Sequence, residues 1–434
     1  MLSEYKFPRL TIFHTSKIME AIEKAAKTAQ ELLDKEAATD KATRTSLSIV
    51  RDFIKSNRVM CYGGTAINNL LPKEDQFYDP SKDVPDYDFF TETPQLHAMK
   101  IADALDREGF KSVEVKPGVH IGTFKVFCDF VGVADVSHLE PKIFKKLWDE
   151  SVTKNGIHYV PPDFLRMSVY LELSRPRGDV SRWKKVYSRL QLLNKHYPVK
   201  CSSSHPMERS PIAPELKTKI TKIIKKSGSM ILGFNAADLQ KKGVPSNWSF
   251  PLDILALPDK REEVASQIQS LMEEKTKKED FPEFAELFPP HTDIDHKGKT
   301  LVRIYDTFAC HSYHETSTGL RVASIPTLLQ FIFSALYAPD HFLEEVPRER
   351  FVCVAQKLVD MANGIGPRRY KLLTPIACIG KQKTLTDMRV EKSELYAELK
   401  NSPKFLEVFF TYNPEKDRTR KQSIRARLRK TLKA

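Results

Sequence analysis

Two acidic residues and two adjacent glycines are the residues of this chain whose types and spacing best fit a chemical task. Asp86 and Asp88 stand two positions apart in a run of aromatic residues, 86–90. On a β-strand this spacing puts both carboxylates on one face of the sheet. Two carboxylates on one face repel each other unless a cation lies between them, and a divalent cation that bridges to a triphosphate is the usual partner of such a pair.

The glycines precede the acidic pair and lie between an apolar run ending at Tyr62 and a helix-compatible segment. This order predicts a strand, a tight turn and the start of a helix. Adjacent glycines let the backbone approach a ligand closely, and the free N–H groups of a helix N-terminus favour an anion such as phosphate. Gly63, Gly64 and Thr65 are therefore predicted to bind the phosphates of a nucleotide.

Chemistry with two metal ions requires a third carboxylate from a neighbouring strand, and two residues compete for that role. Asp135 lies between apolar residues in a segment, 121–136, that we interpret as two strands with a bend. Asp129 lies six residues earlier, where a structural or supporting acid is expected. We predict that Asp86, Asp88 and Asp135 are the catalytic residues and the metal ligands.

The structural alternative for these motifs is an ordinary turn followed by an edge strand with solvated aspartates. A similar choice applies to residues 174–190, which mix cations with aromatic rings. That mixture suits phosphate contacts and base stacking, with Arg182 and Lys185 as candidates for the triphosphate. A helix that buries Trp183 and Tyr187 and leaves its cations solvated fits the sequence equally well.

Composition limits the class of protein. The 434 residues suffice for two or more domains, and the net charge of +13 favours a polyanionic partner. No stretch approaches the ~20 apolar residues of a membrane helix, and the N-terminus lacks the order of a signal peptide. The six cysteines show no CxxC pairing, which predicts reduced, buried thiols without a zinc ribbon or disulfide framework.

An imperfect repeat of the glycine motif occurs in the second half of the chain. Residues 230–239 align with residues 60–69, with Phe234 in place of the second glycine. A phosphate could no longer approach closely there, so we interpret this region as a degenerate copy kept for packing or RNA contact. Asp293 and Asp295 also form an acidic pair, but their polar surroundings predict a loop rather than a metal cluster.

The remaining segments are predicted to be supporting elements. Two helices, 16–36 and 45–56, have the apolar spacing of packing elements. A Ser- and Pro-rich segment, 202–214, is typical of a linker or surface loop. Residues 418–434 contain eight basic residues and no acidic one, which is typical of a solvated, disordered tail with a polyanion as its natural partner.

These motifs together resemble the poly(A) polymerase catalytic subunits of large cytoplasmic DNA viruses, of the poxvirus, asfarvirus and mimivirus kind. The resemblance is strong over about residues 58–195 and thin beyond them. The stretches that carry it are Tyr62–Ile67, Pro85–Phe90, Asp129–Ser137, Glu172–Pro176 and Arg182-Trp183.

The resemblance implies an α+β fold of the DNA polymerase β-like nucleotidyltransferase superfamily. It implies a mixed sheet with flanking helices, followed by a degenerate nucleotidyltransferase-like second domain. The expected division is an N-terminal helical region at 1–57, a catalytic domain with a helical extension at 58–200, the degenerate domain at 215–390, and a C-terminal helix with a basic tail at 391–434.

The resemblance also implies template-independent transfer of AMP from ATP to mRNA 3′ ends, with two Mg²⁺ or Mn²⁺ ions on Asp86, Asp88 and Asp135. The expected partners are ATP, an RNA 3′ end, and either a processivity subunit, as in poxviruses, or a second copy, as in mimivirus-type homodimers. No membrane is expected, and the implied location is the virion and the host cytoplasm. Two alternatives stay open: another RNA-terminal nucleotidyltransferase (uridylyl, CCA or oligoadenylate type), or a non-catalytic RNA-binding subunit.

Overall fold

The structure is a computed structural model that describes residues 12–84, 87–202, 209–242, 247–272, 275–285, 287–339, 342 and 346–431. The helices of these segments are α1 Ile12–Thr39, α2 Lys41–Ser56, α3 Gly63–Leu70, α4 Pro94–Glu108, α5 Pro141–Asp149, α6 Pro162–Leu173, α7 Trp183–His196, α8 Pro214–Ser227, α9 Gly233–Leu239, α10 Arg261–Gln269, α11 Ile325–Ala335, α12 Arg348–Ala362, α13 Leu385–Leu399, α14 Phe405–Phe409 and α15 Lys421–Thr431. Across these segments, we find no helix with both the length and the apolar character needed to cross a bilayer.

The strands form two mixed sheets. They are β1 Met60–Cys61, β2 Asp88–Thr91, β3 Val113–Pro117, β4 Thr123–Cys128, β5 Val131–His138, β6 Val152–Lys154, β7 Ile157–Tyr159, β8 Met230–Ile231, β9 Leu252–Ala256, β10 Lys277–Phe281, β11 His291–His296, β12 Lys299–Asp306, β13 His311–Glu315, β14 Arg321–Ala323 and β15 Cys378–Ile379.

The first sheet has the strand order β3-β4-β5-β2-β1-β7-β6. At its centre β2 runs parallel to β5 and antiparallel to β1, and β1 runs parallel to β7. Strands β3, β4 and β5 form an antiparallel meander at one edge, and α4 packs against all three. The predicted strand, turn and helix around the glycine pair are present as β1 and α3.

The second sheet repeats the first, strand for strand. Its order is β10-β11-β12-β9-β8-β14-β13, with β15 added at the edge. The central pairs have the same senses: β9 is parallel to β12, β8 is antiparallel to β9, and β8 is parallel to β14. The repeat predicted from ten aligned positions is thus a whole second copy of the sheet, and the predicted α+β class is confirmed.

Helices α6 and α11 connect the two copies. Each follows the corresponding strand of its own sheet, β7 or β14, and the two helices pack against each other. Every residue of α11 is buried, and α6 buries Phe164, Leu165, Val169 and Tyr170. The two sheets therefore share one apolar helix pair, which fixes the second copy against the first.

The expectation of reduced cysteines without disulfides is wrong for four of them. Disulfides join Cys201 to Cys353 and Cys310 to Cys378. Only Cys61 and Cys128 remain as buried free thiols. The paired cysteines are 152 and 68 residues apart in sequence, so no short-range motif indicates the pairing.

The described part of the basic tail, residues 418–431, is helical, contrary to the prediction of a disordered segment. Residues 421–431 form α15, which lies against α4. Lys421 and Arg425 both form ion pairs with Asp103, at 2.8 and 2.9 Å. Asp103 is buried, and it also accepts a hydrogen bond from the Tyr412 hydroxyl. Helix α15 is fixed against α4 because its cations pair with the buried Asp103 carboxylate.

The first predicted helix is longer than expected and does not bury its apolar face. Helix α1 begins at Ile12 rather than near residue 16, whereas α2 buries Leu47, Val50 and Ile54 as predicted. The apolar residues of α1 that are more than half exposed are Ile18, Met19, Ile22, Leu32 and Leu33. The interpretation of α1 as a packing element is therefore wrong for this face.

Candidate active site

Asp88 and Asp135 form a cross-strand pair at the centre of the first sheet. They are directly opposite each other in the parallel register of β2 and β5. The Asp135 N–H donates to the Tyr87 carbonyl and the Tyr62 N–H to the Asp88 carbonyl, both at 3.0 Å, which fixes the register of the strands. Opposite residues of paired strands point to the same face of a sheet. The two carboxylates therefore extend to one face from neighbouring strands, whose backbones lie about 4.8 Å apart. Asp86, the third predicted acid, lies outside the described residues.

The glycine turn lies directly beside this pair. Gly63 has a φ of +74° and begins α3. A Cβ at this position would lie 2.9 Å from Oδ2 of Asp88, so both the backbone conformation and the available space require glycine. The N-terminus of α3 and a predicted metal ligand are thus in contact, which is the arrangement that a metal-bound phosphate needs.

Arg189 supplies a cation beside Gly64, and the sequence analysis missed it. A Cβ on Gly64 would lie 2.5 Å from Nη1 of Arg189 and 2.9 Å from the Tyr78 hydroxyl. Arg189 donates from Nη2 to that hydroxyl at 2.9 Å, and its guanidinium lies 4.5 Å from the centroid of Phe77. Helix α7 thus brings a positive group, oriented by two aromatic residues, to the N-terminus of α3.

The two residues predicted to bind the triphosphate, Arg182 and Lys185, precede Arg189 at the start of α7. Arg182 precedes α7 and pairs with Glu172, 3.2 Å from Nε to Oε2; burial raises the pKa of Glu172. Lys185 is exposed one helical turn before Arg189. Since positions i, i+3 and i+7 share a helix face, the three cations lie in one row, and a search for that spacing would have found Arg189. The roles of Arg182 and Lys185 stay predictions.

Lys125 is a second residue that the sequence analysis missed. It is opposite Asp135 in the antiparallel register of β4 and β5. Its Nζ lies 2.5 Å from Oδ2 of Asp135, and the lysine side chain is 41% exposed. This cation offsets the charge of one carboxylate. The signal in the sequence is that Lys125 lies between the apolar residues Phe124 and Val126, at a strand position that faces out of the core.

Asp129, the competitor for the third carboxylate, lies in the turn between β4 and β5. Its φ is +47°, and its Oδ1 accepts a hydrogen bond from the Ser112 N–H at 3.3 Å. The turn is Asp129-Phe130, and Gly132 lies inside β5, so the predicted bend is two residues earlier than expected. Asp129 thus has a structural partner at the far end of the hairpin, whereas Asp135 stands opposite Asp88.

The donor set fits a hard divalent cation. Carboxylate oxygens are the ligands that Mg²⁺ and Mn²⁺ prefer, and the charge on Asp88 adds to burial in raising the pKa of the neighbouring Cys61 thiol. The described residues alone hold no group of three or more metal-ligating side chains. Asp88 and Asp135 thus stay the predicted ligands that the structure describes, and Asp86 would add a third.

The second copy carries altered residues at the corresponding positions. Asp253 corresponds to Asp88, because the Leu232 N–H donates to its carbonyl as Tyr62 does to that of Asp88. Arg303 is opposite Asp253 and thus corresponds to Asp135. Asp293, opposite Arg303, corresponds to Lys125. The charges of that lysine–aspartate pair are reversed in the second copy.

The reversed pair is buried and joined by two hydrogen bonds. Arg303 donates from Nε and Nη2 to the two oxygens of Asp293 at 2.7 and 2.6 Å, and the two side chains are only 9% and 3% exposed. The prediction that Asp293 and Asp295 lie in a loop is wrong, because both belong to β11. The polar residues around Asp293 indicated a loop. Asp293 can be buried in a strand because Arg303, on the neighbouring strand β12, pairs with it.

Aromatic side chains fill the space that a nucleotide would occupy in the second copy. The cavity beside Asp253 measures only about 40 Å³, enough for a water molecule or two. A Cβ on Gly233 would collide with the Asp253 carboxylate, as at Gly63. The residues that fill the site include Phe234, Phe288, Phe331, Phe342 and Phe351. The second copy therefore keeps the geometry of the turn, but it lacks the volume for a nucleotide and has Arg303 in place of the Asp135 carboxylate.

Comparisons with known proteins agree with this geometry. Residues 48–179 match the family of poly(A) polymerase catalytic subunits. The resemblance noted from the motifs is thereby confirmed for the segment that contains the glycine turn and the Asp88–Asp135 pair. The crystal structure of the Megavirus polyadenylate synthase superposes with a TM-score of 0.76 at 18% identity, over 100% of this chain and 91% of that chain, which shows that the two chains share one fold.

Curated relatives match the same region. A protein of African swine fever virus described as a poly(A) polymerase catalytic subunit is 33% identical over 176 residues, 39% of this chain and 37% of that protein. One from Acanthamoeba polyphaga mimivirus with the same description is 28% identical over 160 residues, 36% of this chain and 27% of that protein. The chain thus spans well under half the length of the curated relatives it matches.

Gly63→Ala should lower turnover at this site by about 100-fold, because the new Cβ displaces the Asp88 carboxylate and small displacements of reacting groups have effects of that size. The measurement is the rate of RNA extension with ATP. Gly298→Ala is the matched control: its φ is +78°, but a Cβ there meets nothing within 4 Å. Equal activity of the two variants would show that the contact with Asp88 does not matter.

Proposed function

We propose that this protein is a template-independent poly(A) polymerase that transfers AMP from ATP to the 3′ end of mRNA. The observation that carries the proposal is the Asp88–Asp135 cross-strand pair in contact with the glycine turn at the start of α3. It joins ligands for divalent ions to an anion-binding helix terminus. The match of residues 48–179 to poly(A) polymerase catalytic subunits supports the choice of reaction.

In this proposal the chain orients the nucleotide from two sides. The N–H groups of Gly63, Gly64 and Thr65 bind the β- and γ-phosphates, and Arg189 neutralises charge on them. Asp86, Asp88 and Asp135 hold two Mg²⁺ or Mn²⁺ ions, which when bound lower the pKa of the RNA 3′-hydroxyl and stabilise the charge on the phosphates. Arg182 and Lys185 extend the positive row on α7 toward the departing pyrophosphate.

The proposed partners follow from the reaction and from the descriptions of the relatives. RNA and ATP are the substrates, and the relatives are described as catalytic subunits. A processivity subunit or a second copy of this chain is the proposed protein partner. A virus-encoded enzyme of this kind would act in the host cytoplasm and be carried in the virion.

A direct test incubates the purified protein and a short RNA with each nucleoside triphosphate separately, in Mg²⁺ and in Mn²⁺. The proposal predicts a ladder of extended RNA with ATP and little extension with UTP, CTP or GTP. Equal extension with UTP or CTP would contradict the poly(A) assignment while retaining the chemistry. No extension with any nucleotide would contradict the enzymatic assignment itself.

A further inference from the structure

The strand order fixes the side from which an acceptor must reach the proposed site. The phosphate-binding turn follows β1, Asp88 is on β2 and Asp135 is on β5, in the order β1-β2-β5. In phosphoryl transfer the attacking and leaving oxygens lie roughly in line, on opposite sides of the reacting phosphorus. With the leaving pyrophosphate at Gly63 and Gly64, as in the proposed function, the attacking 3′-oxygen would approach from the β5-β4-β3 side.

One face of the β3-β4-β5 meander is open on that side. Along β4 the burial alternates, with Phe124, Val126 and Cys128 buried and Lys125 and Phe127 half-buried. The buried residues pack toward α4. Lys116 is opposite Lys125, and Glu114 is opposite Phe127, on the same open face. The face is therefore continuous with Asp135, which is the other neighbour of Lys125.

Phe127 is the aromatic residue of this face. It is opposite Gly132 of β5, and a Cβ on that glycine would lie 3.8 Å from its Cε1. The ring therefore lies over a residue without a side chain, and it is not part of the apolar core. The Nζ of Lys116 lies 5.8 Å from the ring centroid. A partly exposed ring beside cations suits stacking with a nucleobase.

The lysines of this face have exchangeable partners. Lys116 pairs with Glu114 and Lys125 with Asp135, and the two lysine side chains are 55% and 41% exposed. Exposed ion pairs of this kind contribute little to stability. A phosphate can therefore replace the carboxylate as the partner of either lysine without a large energetic penalty.

We propose that this open face, the acceptor face (Lys116, Lys125, Phe127 and Gly132), binds the last nucleotides of the RNA that is extended. Phe127 stacks on a base over Gly132, and Lys116 and Lys125 contact phosphates. Lys125 exchanges the Asp135 carboxylate for an RNA phosphate when RNA and metal-bound nucleotide are present. The inference rests on the proposed function for the identity of the acceptor, but its RNA-binding part is measurable without catalysis.

The central experiment measures the binding of a 5′-labelled oligoadenylate RNA by fluorescence anisotropy, without ATP or metal. Phe127→Ala should weaken binding about tenfold, the effect of removing one stacking platform. Phe127→Leu keeps apolar bulk without an aromatic face and should weaken binding similarly, whereas Phe127→Trp should retain it. Ile376→Ala, at an apolar residue of the second half that is 84% exposed, is the control and should bind like the wild type.

Two further readouts separate the acceptor face from a general folding role. In extension assays Phe127→Leu should raise the KM for RNA about tenfold and leave the KM for ATP unchanged. Lys116→Ala should reduce the slope of log affinity against log salt by about 0.7, the value for one phosphate contact to a single strand.

Wild-type RNA affinity and KM in both Phe127→Ala and Phe127→Leu would overturn the inference. Equal weakening by Phe127→Trp and Phe127→Ala would also overturn it, because stacking would then not be the cause. If the wild type extends no RNA but Phe127→Leu still weakens RNA binding, the acceptor face stands as an RNA site and the proposed catalytic function fails.

Discussion

Asp135→Asn is expected to reduce RNA extension by more than about 100-fold. Loss of a residue that only hydrogen-bonds to a metal ligand lowers activity by about 10- to 100-fold, and loss of the ligand itself should cost more. The substitution keeps the shape of the side chain in β5 and removes the charge that stands opposite Asp88. The fold should survive, since the ion pair that is lost, with Lys125, is partly exposed. The measurement is the single-turnover rate of AMP addition to a short RNA at saturating ATP.

Asp129→Asn is the matched control for that substitution. Asp129 competes with Asp135 for the third carboxylate on sequence alone, but its Oδ1 accepts a backbone N–H that an asparagine oxygen also accepts. Asparagine also tolerates the positive φ at this position. Asp129→Asn should therefore extend RNA at the wild-type rate. The opposite pattern, an active Asp135→Asn and an inactive Asp129→Asn, would assign the third carboxylate to Asp129.

Arg303→Met is expected to destabilise the protein by about 3–5 kcal/mol, the range for removing one partner of a buried ion pair. It leaves Asp293, only 3% exposed, without its two guanidinium hydrogen bonds. The measurement is the midpoint of urea denaturation. Asp293→Leu combined with Arg303→Met should recover part of the loss, because the most deeply buried unpaired carboxylate is then removed, although the half-buried Asp253 opposite residue 303 still loses its cation.

Lys277→Met gives the exposed comparison on the same sheet. Lys277 pairs with Glu279 at 2.8 Å, but the two side chains are 74% and 43% exposed. Its removal should change stability by less than about 1 kcal/mol. If Arg303→Met is as mild as Lys277→Met, the reversed pair does not hold the second copy together, and its burial has no energetic consequence.

The parts of the site that are local in sequence were predictable. A strand, two glycines and a helix start occur within a few residues, and apolar neighbours marked Asp135 as a strand residue. The repeat at residues 230–239 likewise predicted a second copy, because the same local geometry recurs. Each of these signals depends on backbone preferences and burial within a single segment.

The parts that depend on pairing between distant segments were not predictable. Arg189 reaches Gly64 because α7 folds back over α3, and Lys125 reaches Asp135 because β4 and β5 are aligned in one register. Arg303 and Asp293 were missed for the same reason, since a buried charge is interpretable only with its partner. The basic tail was misjudged because its partner, Asp103, lies more than 300 residues earlier.

The most direct test of the central claim is a titration with Mn²⁺ in the presence of a non-hydrolysable ATP analogue, followed by electron paramagnetic resonance. If Asp88 and Asp135 hold ions against a nucleotide, the wild type should bind two Mn²⁺ ions per chain with the analogue, and Asp135→Asn should lose at least one of them. Asp129→Asn should bind like the wild type. Identical Mn²⁺ binding by the wild type and Asp135→Asn would contradict the assignment of the Asp88–Asp135 pair as the metal site.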